Sequence, residues 1–259
     1  MRSRWVVALV LMLPACGSTG VQETGTTPRP EQTAGSLAEP TADGSGGRPV
    51  GQWLRVGGLM APGLAAVRPP MLVVYADGRA VADAARVLRL SPAETATLVK
   101  ALEHDLAGQP ATASPRPGTR KVYDAPTTVL GVDGGKGMRE VRVPALEHAE
   151  SGYDAALVTA RDRLARLAAR VSAQGRSYSA DRVRLSAEQI SAPETPAKPW
   201  PGGVPLPPET QARSGRKDYK GAKARTITRS IPDAGLWHVY RRPTGEHIAL
   251  SWRYLLPHE

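Results

Sequence analysis

The chain has 259 residues, a formal charge of +10, and 41% hydrophobic against 22% charged residues, a balance that allows one sizeable core. It holds one cysteine, Cys16, which excludes both a disulfide framework and any Cys-x-x-Cys metal or redox pair. These numbers say more about where the protein works than about what it does.

Arg2 and Arg4 precede an apolar run from Trp5 to Leu13, followed by small residues at Ala15 and Gly17. This is the basic, apolar and cleavage-site order of a signal peptide, expected here over residues 1–15. As a helix the run would cover only about 14 Å, roughly half the hydrocarbon thickness of a bilayer, so no permanent transmembrane helix is expected. The tetrad Leu13-Pro14-Ala15-Cys16 resembles the lipobox of bacterial lipoprotein precursors, although Pro14 departs from the small or β-branched residue usual at its place. That resemblance implies cleavage before Cys16, a diacylglyceryl thioether on its sulfur and an amide-linked acyl chain. Two or three chains anchor firmly where one is marginal. The alternative is an ordinary signal peptide beside an unrelated cysteine. Residues 16–50, rich in Gly, Thr, Ser, Pro and Glu, bury too little to offset ordering and are expected to form a flexible, lipid-anchored tether.

The expected globular domain spans 51–259. Trp53, Leu54 and Val56 suggest a first strand, and Met71–Tyr75 with the turn Ala76-Asp77-Gly78-Arg79 reads as a hairpin. Ser91-Pro92-Ala93-Glu94 is a capping box ahead of Leu98, Leu102 and Leu106, which predicts a helix from Pro92 to about Ala107. A low-complexity linker, "GQPATASPRPGT", follows. "TTVLGVDGGKGMREVRVPAL" predicts a second hairpin turning at Asp133–Gly137; its Gly-Gly-Lys-Gly lacks the spacing and following helix of a nucleotide-binding loop. Asp124 is read as an Asx-type turn whose carboxylate accepts from the following amides.

Tyr153, Leu157, Ala160, Leu164, Leu167 and Val171 mark the apolar side of a helix from about Gly152 to Gln174, with Arg161, Asp162, Arg163, Arg166 and Arg170 on a solvated side. "DRVRL" is a short strand, and the proline-rich stretch Ser191–Glu209 is a loop in which Trp200 packs over a core edge. A helix is expected over Gly221–Ser230. A closing hairpin pairs Trp237–Arg241 with His247–Tyr254, directing Ile248, Leu250 and Trp252 inward and Ala249, Ser251 and Arg253 away. The expected fold class is α+β: a single domain with antiparallel sheets packed by two amphipathic helices, preceded by a disordered tether.

At "MLVVYADGRAV", "YDAPTTVLGV", "YDAALVTARDRLARLAARV" and "ALSWRYLLPHE" the chain resembles a loose group of secreted or lipid-anchored actinobacterial proteins of uncharacterised function. The features that carry this fall on Tyr75–Gly78, Ser91, Asp124 with Thr127 and Thr128, Tyr153, and Leu255–Glu259. The resemblance implies a tether before one α+β body. Members often carry body cysteines that could pair, and this chain has none there.

No H-E-x-x-H, calcium-loop or G-x-S-x-G pattern is present, so no catalytic residue, metal ligand or cofactor is assigned. His238 and His247 could face one another across the last hairpin. Removing Arg2 and Arg4 with the signal peptide lowers the charge from +10 to +8. Between Lys198 and Glu259 there are 11 Lys/Arg against 5 Asp/Glu. The candidate anion-binding patch is Arg213, Arg216, Lys217, Lys220, Lys223, Arg225 and Arg229, suited to anionic lipid or an acidic wall polymer; with no aromatic-basic module in the chain, nucleic acid is not expected as a partner.

The leading expectation is a non-enzymatic, lipid-anchored binding or scaffolding protein at the outer face of the cytoplasmic membrane or in the cell envelope. Its rivals are an envelope hydrolase or peptidoglycan-modifying enzyme, marked by two shifted carboxylates in an apolar pocket, and a small-ligand carrier, marked by an enclosed cavity lined by Leu, Val and Trp.

Overall fold

The computed structural model describes residues 47–191, 193, 196–207, 214–232 and 234–259. The expected signal peptide, almost the whole expected tether, Cys16 and Arg213 lie outside the described residues. The architecture is α+β, with two sheets and four α-helices among the described residues.

The first sheet comprises β1 (Pro49–Val56), β2 (Leu72–Tyr75), β3 (Arg79–Ala82), β4 (Arg86–Arg89), β5 (Thr127–Val132), β6 (Arg139–Pro144) and β7 (Arg176–Ser177). Its order is β6-β5-β1-β2-β3-β4-β7, antiparallel throughout. Contacts of the body include residues before 51: Pro49 pairs with Tyr75, and the Arg48 guanidinium meets Asp133 at 2.9 Å. The β2–β3 turn needs Gly78, whose φ is +85° and whose missing Cβ would sit 2.6 Å from the Leu90 carbonyl oxygen. In the β5–β6 turn the Asp133 carboxylate accepts from the amides of Gly135 (2.7 Å) and Gly137 (3.0 Å).

Helices α2 (Pro92–Leu106) and α3 (Ala155–Gln174) cover one face of this sheet. The α2 capping box forms as its sequence predicts: Glu94 N–H donates to Ser91 Oγ at 3.2 Å, and Ser91 N–H donates to Glu94 Oε2 at 2.8 Å. Asp154 caps α3 by accepting from Ala156 N–H at 2.8 Å. Tyr153 therefore stands before the helix, its hydroxyl donating to the Pro144 carbonyl. Leu98, Leu102, Leu106, Leu157, Ala160, Leu164 and Val171 join Trp53, Leu72, Val74, Leu130 and Val141 in the main core. Arg161 departs from the solvated side expected for it: it is buried and bonded to both Glu150 and Asp162 at 2.6 Å. The turns of 3-10 helix at Leu146–His148 and Glu150–Gly152 bring Glu150 back beside α3, which the helical period alone does not reveal.

The second sheet comprises β8 (Arg182–Ile190), β9 (Lys198–Pro199), β10 (Ser214–Lys220), β11 (His238–Arg241) and β12 (His247–Tyr254), ordered β10-β8-β12-β11-β9. Its pairs are antiparallel except β9 with β11. That exception comes from the proline-rich stretch, which can dock only briefly on a sheet edge because proline has no N–H to donate. Trp200 packs against Tyr240, its Nε1–H donating to the Val204 carbonyl at 3.1 Å.

Helix α4 (Gly221–Ser230) seats Ala224 and Ile227 on the second sheet's apolar face, among Val183, Leu185, Ile248, Leu250 and Trp252. The opposite face is covered too. The short helix α1 (Pro62–Val67) lies on it, with Gly63 N–H donating to Glu188 Oε2 at 2.7 Å. Ala249, Ser251 and Arg253, expected to point outward, are consequently buried. Alternation identified the apolar face correctly but could not show that a second layer covers the other.

The segment after β12 joins the two sheets. Leu256 packs with Val73, Tyr75 and Val81 on the face of the first sheet away from α2 and α3. Tyr75 and His258 share a 2.9 Å hydrogen bond, and Tyr178 donates to the Leu255 carbonyl at 2.8 Å. Arg253 grips Glu259 with two bonds of 2.6 Å, and Arg182 donates to the Glu259 carbonyl at 2.7 Å.

Candidate functional site

The described members of the basic segment fall on β10 and α4, and all six are exposed: Arg216, Lys217, Lys220, Lys223, Arg225 and Arg229. Strand alternation splits the first three. Lys217 lies opposite Leu185 on the side facing α4, its ammonium 5.9 Å from the Tyr219 ring centroid. Arg216 and Lys220, opposite Ser186 and Arg182, point to the other side. On α4, burial of Ala224 and Ile227 turns Arg225 and Arg229 outward one turn apart, and Arg229 Nε–H donates to the Arg225 carbonyl at 3.2 Å. The structure thus brings the sequence-selected cations together as a wrap around one edge rather than as a groove.

The segment's own counter-charge is already engaged. Asp218 is the only carboxylate between Ser214 and Ser230. Arg184 holds both its oxygens, at 2.8 and 3.0 Å, and those bonds keep the carboxyl below its ordinary range despite partial burial. None of the six cations makes an ion pair among the described residues. Because β10 is an edge strand, its lysines also discourage pairing with a strand of another molecule, a structural benefit independent of any ligand.

A second cationic feature lies on other elements. Beside the 3-10 turns, a cavity of about 390 Å³ is lined by residues that include Arg116, Arg120, His148 and Ser151. The low-complexity linker builds one wall: Ala113 N–H donates to the Arg142 carbonyl at 2.9 Å, and Arg116 N–H to the Gly152 carbonyl at 2.7 Å. The patch read from the sequence contains neither His148 nor these two arginines. The nearest signal was "SPRPGTR", which puts two arginines four residues apart around a turn, but nothing in it shows that the turn docks on residues about 30 positions later.

A wider groove of about 490 Å³ runs between α2 and α3, with Leu90, Leu98 and Leu167 beside Arg163, Arg166 and Arg170. Its one carboxylate, Glu94, is pulled down to about 2 by the Ser91 backbone and side-chain hydrogen bonds and by Arg170. It therefore stays ionised and serves as a helix cap, unlike a proton-donating acid. Neither cavity has the enclosed aliphatic lining that would favour a carrier.

His238 and His247 do not face one another. His238 pairs with Leu250 and His247 with Arg241, an odd offset that puts the two rings on opposite faces of the hairpin. Asp124 also differs from its expected role: it has φ +56°, and its backbone carbonyl accepts from Leu59 N–H at 3.0 Å, so the main chain secures this turn. Among the described residues no group of three His, Cys, Asp or Glu is placed to hold a metal ion, and no helix is long and apolar enough to cross a membrane.

Comparisons of the chain with protein-family models, with curated proteins and with solved structures found no match.

Proposed function

We propose that this chain is a lipid-anchored protein of the bacterial cell envelope whose α+β body binds an anionic partner without catalysing a reaction. The reading combines the signal-peptide order before Cys16, the lipobox-like tetrad, the Gly/Ser/Thr/Pro-rich stretch after it and the basic edge of the body. The observation that carries the binding role is the charge imbalance on β10 and α4: six exposed cations flank one carboxylate, and Arg184 already neutralises it. Each lysine or arginine near an anionic surface contributes about 1 kcal/mol at physiological ionic strength, so a handful suffices for reversible attachment. The wrapped arrangement favours a polymer or headgroup layer over one small ligand.

Two experiments test the two halves of the proposal. Replacing Cys16 with serine is expected to move the protein from the membrane fraction to the culture fluid; unchanged membrane retention contradicts the lipid anchor. Sedimentation with phosphatidylglycerol vesicles and, separately, with isolated anionic wall polymer identifies the partner of the body. Retention that falls as salt rises supports the basic edge, and its absence with both materials contradicts it.

A further inference from the structure

The cavity beside the 3-10 turns has a composition that the edge patch does not explain. Arg116 and Arg120 enter from one turn, closed by Thr119 N–H and Thr119 Oγ1 both donating to the Arg116 carbonyl at 3.1 and 2.7 Å. His148 and Ser151, both exposed, line it from the segment of the 3-10 turns. The lining contains no carboxylate. The acidic residues closest in sequence are committed elsewhere: Glu147 accepts from Arg55 and Thr128, Glu150 from Arg161, and Asp154 from Ala156 N–H at the head of α3. Arg116 also lowers the Asp154 carboxyl, as the smallest of the causes acting on it, and the side chains of Arg120, His148 and Ser151 make no hydrogen bond or ion pair among the described residues.

Two guanidinium groups, an imidazole and a hydroxyl around one void, with the nearby carboxylates occupied, form a donor set for a multiply charged oxyanion. Guanidinium forks match the spacing of phosphate oxygens and bind them with two hydrogen bonds each. At about 390 Å³ the void lies near the lower end of small-ligand sites, which run from about 300 to 1,000 Å³, so it suits a compact molecule. Pro117 and Ala149 supply an apolar edge for the carbon portion of such a ligand.

We propose that the Arg116–Arg120–His148–Ser151 cavity binds the phosphate group of a small phosphomonoester. Arg116 and Arg120 grip the phosphate oxygens, and Ser151 and His148 complete the donor set from the segment of the 3-10 turns. The site is independent of β10 and α4, and of the lipid anchor.

The test is calorimetric titration of the full-length protein with glycerol 3-phosphate, inorganic phosphate and, as an uncharged control, glycerol. A parallel arm uses phosphatidylcholine vesicles with and without phosphatidic acid, which separates a free phosphomonoester from the same group on a lipid. The expected result is saturable one-to-one binding of glycerol 3-phosphate and none of glycerol. Arg116→Ala with Arg120→Ala should weaken it by at least about tenfold, and Arg120→Lys should recover only part because the charge returns without the fork. Both arginines are exposed, so the melting transition should hold. Arg225→Ala with Arg229→Ala should leave binding unchanged. Saturable binding only to phosphatidic acid, lost in the same cavity variants, assigns the phosphate to a headgroup and keeps the site. Absence of saturable binding in both arms, or binding unaffected by the cavity variants, overturns the proposal while leaving the edge patch untouched.

Discussion

The two sheets use different physics to bury their faces. Against the first, α2 and α3 set leucines and valines on an apolar surface, and the ion pairs Arg163–Asp105 and Arg170–Glu94 accompany the packing at the helix pair. The second has one apolar face under α4, but its other face carries Arg184, Ser186, Glu188, Ser251 and Arg253 beneath α1 and the segment Leu255–Glu259. Apolar area stabilises without regard to direction, whereas a buried charge stabilises only while its partner stays in place. The half built from paired charges also presents the unpaired cations of β10 and α4 to solvent.

The largest difference is expected from Arg253→Ala. It would leave the Glu259 carboxylate half-enclosed without its two-bond partner and should lower stability by about 4 kcal/mol in chemical denaturation. Arg253→Met combined with Glu259→Gln should recover much of that loss, since removing both charges is milder than stranding one. In the apolar half, Leu102→Ala should cost about 3 kcal/mol through lost burial and a residual cavity, and no second substitution of a charged residue should rescue it. Ser91→Ala should cost about 1 kcal/mol by removing one arm of the α2 capping box.

The pH response should distinguish the seam from both cores. Burial pushes the Tyr178 hydroxyl up to about 12 against the opposing charge of Arg79, and burial raises Tyr75 further. Both must stay protonated in the fold. Their contribution is complete below the ordinary tyrosine value near 10 and is lost as pH rises through the folded value, so stability should fall from about pH 10, up to about 12 for Tyr178 and beyond it for Tyr75. Glu259 acts in the opposite sense. Burial raises its carboxyl, but the Arg253 hydrogen bonds, the Leu256 amide and nearby guanidinium charges together hold it below its ordinary range. Its contribution is present above the usual carboxylate value and disappears as pH falls through the depressed one. Tyr178→Phe should reduce the alkaline loss to the share carried by Tyr75 without altering the acid one.

The same division governs what the sequence makes legible. Periodicity and caps locate α2 and α3, and turn residues locate both early hairpins, because those signals are local: Ser91 with Glu94, Asp77 with Gly78, and leucines at helical spacing. Burial of Arg161 and Arg253 is not local, since it depends on Glu150 and Glu259 arriving from other elements. The basic edge is readable as a charge run, although its division between strand faces requires the register with β8. The Arg116 cavity is hidden because its two walls lie about 30 residues apart and meet through the Arg116–Gly152 main-chain bond.

The most direct test of the binding account compares the wild type with a variant carrying Lys217→Gln, Lys220→Gln, Lys223→Gln, Arg225→Gln and Arg229→Gln. Retention on phosphatidylglycerol vesicles or anionic wall polymer is measured across a salt series, with melting temperature as the control for folding. The account predicts strong wild-type retention at low salt that declines steeply as salt rises, and little retention of the variant despite an unchanged melting transition. Equal retention of the two proteins, or wild-type retention indifferent to salt, would contradict it.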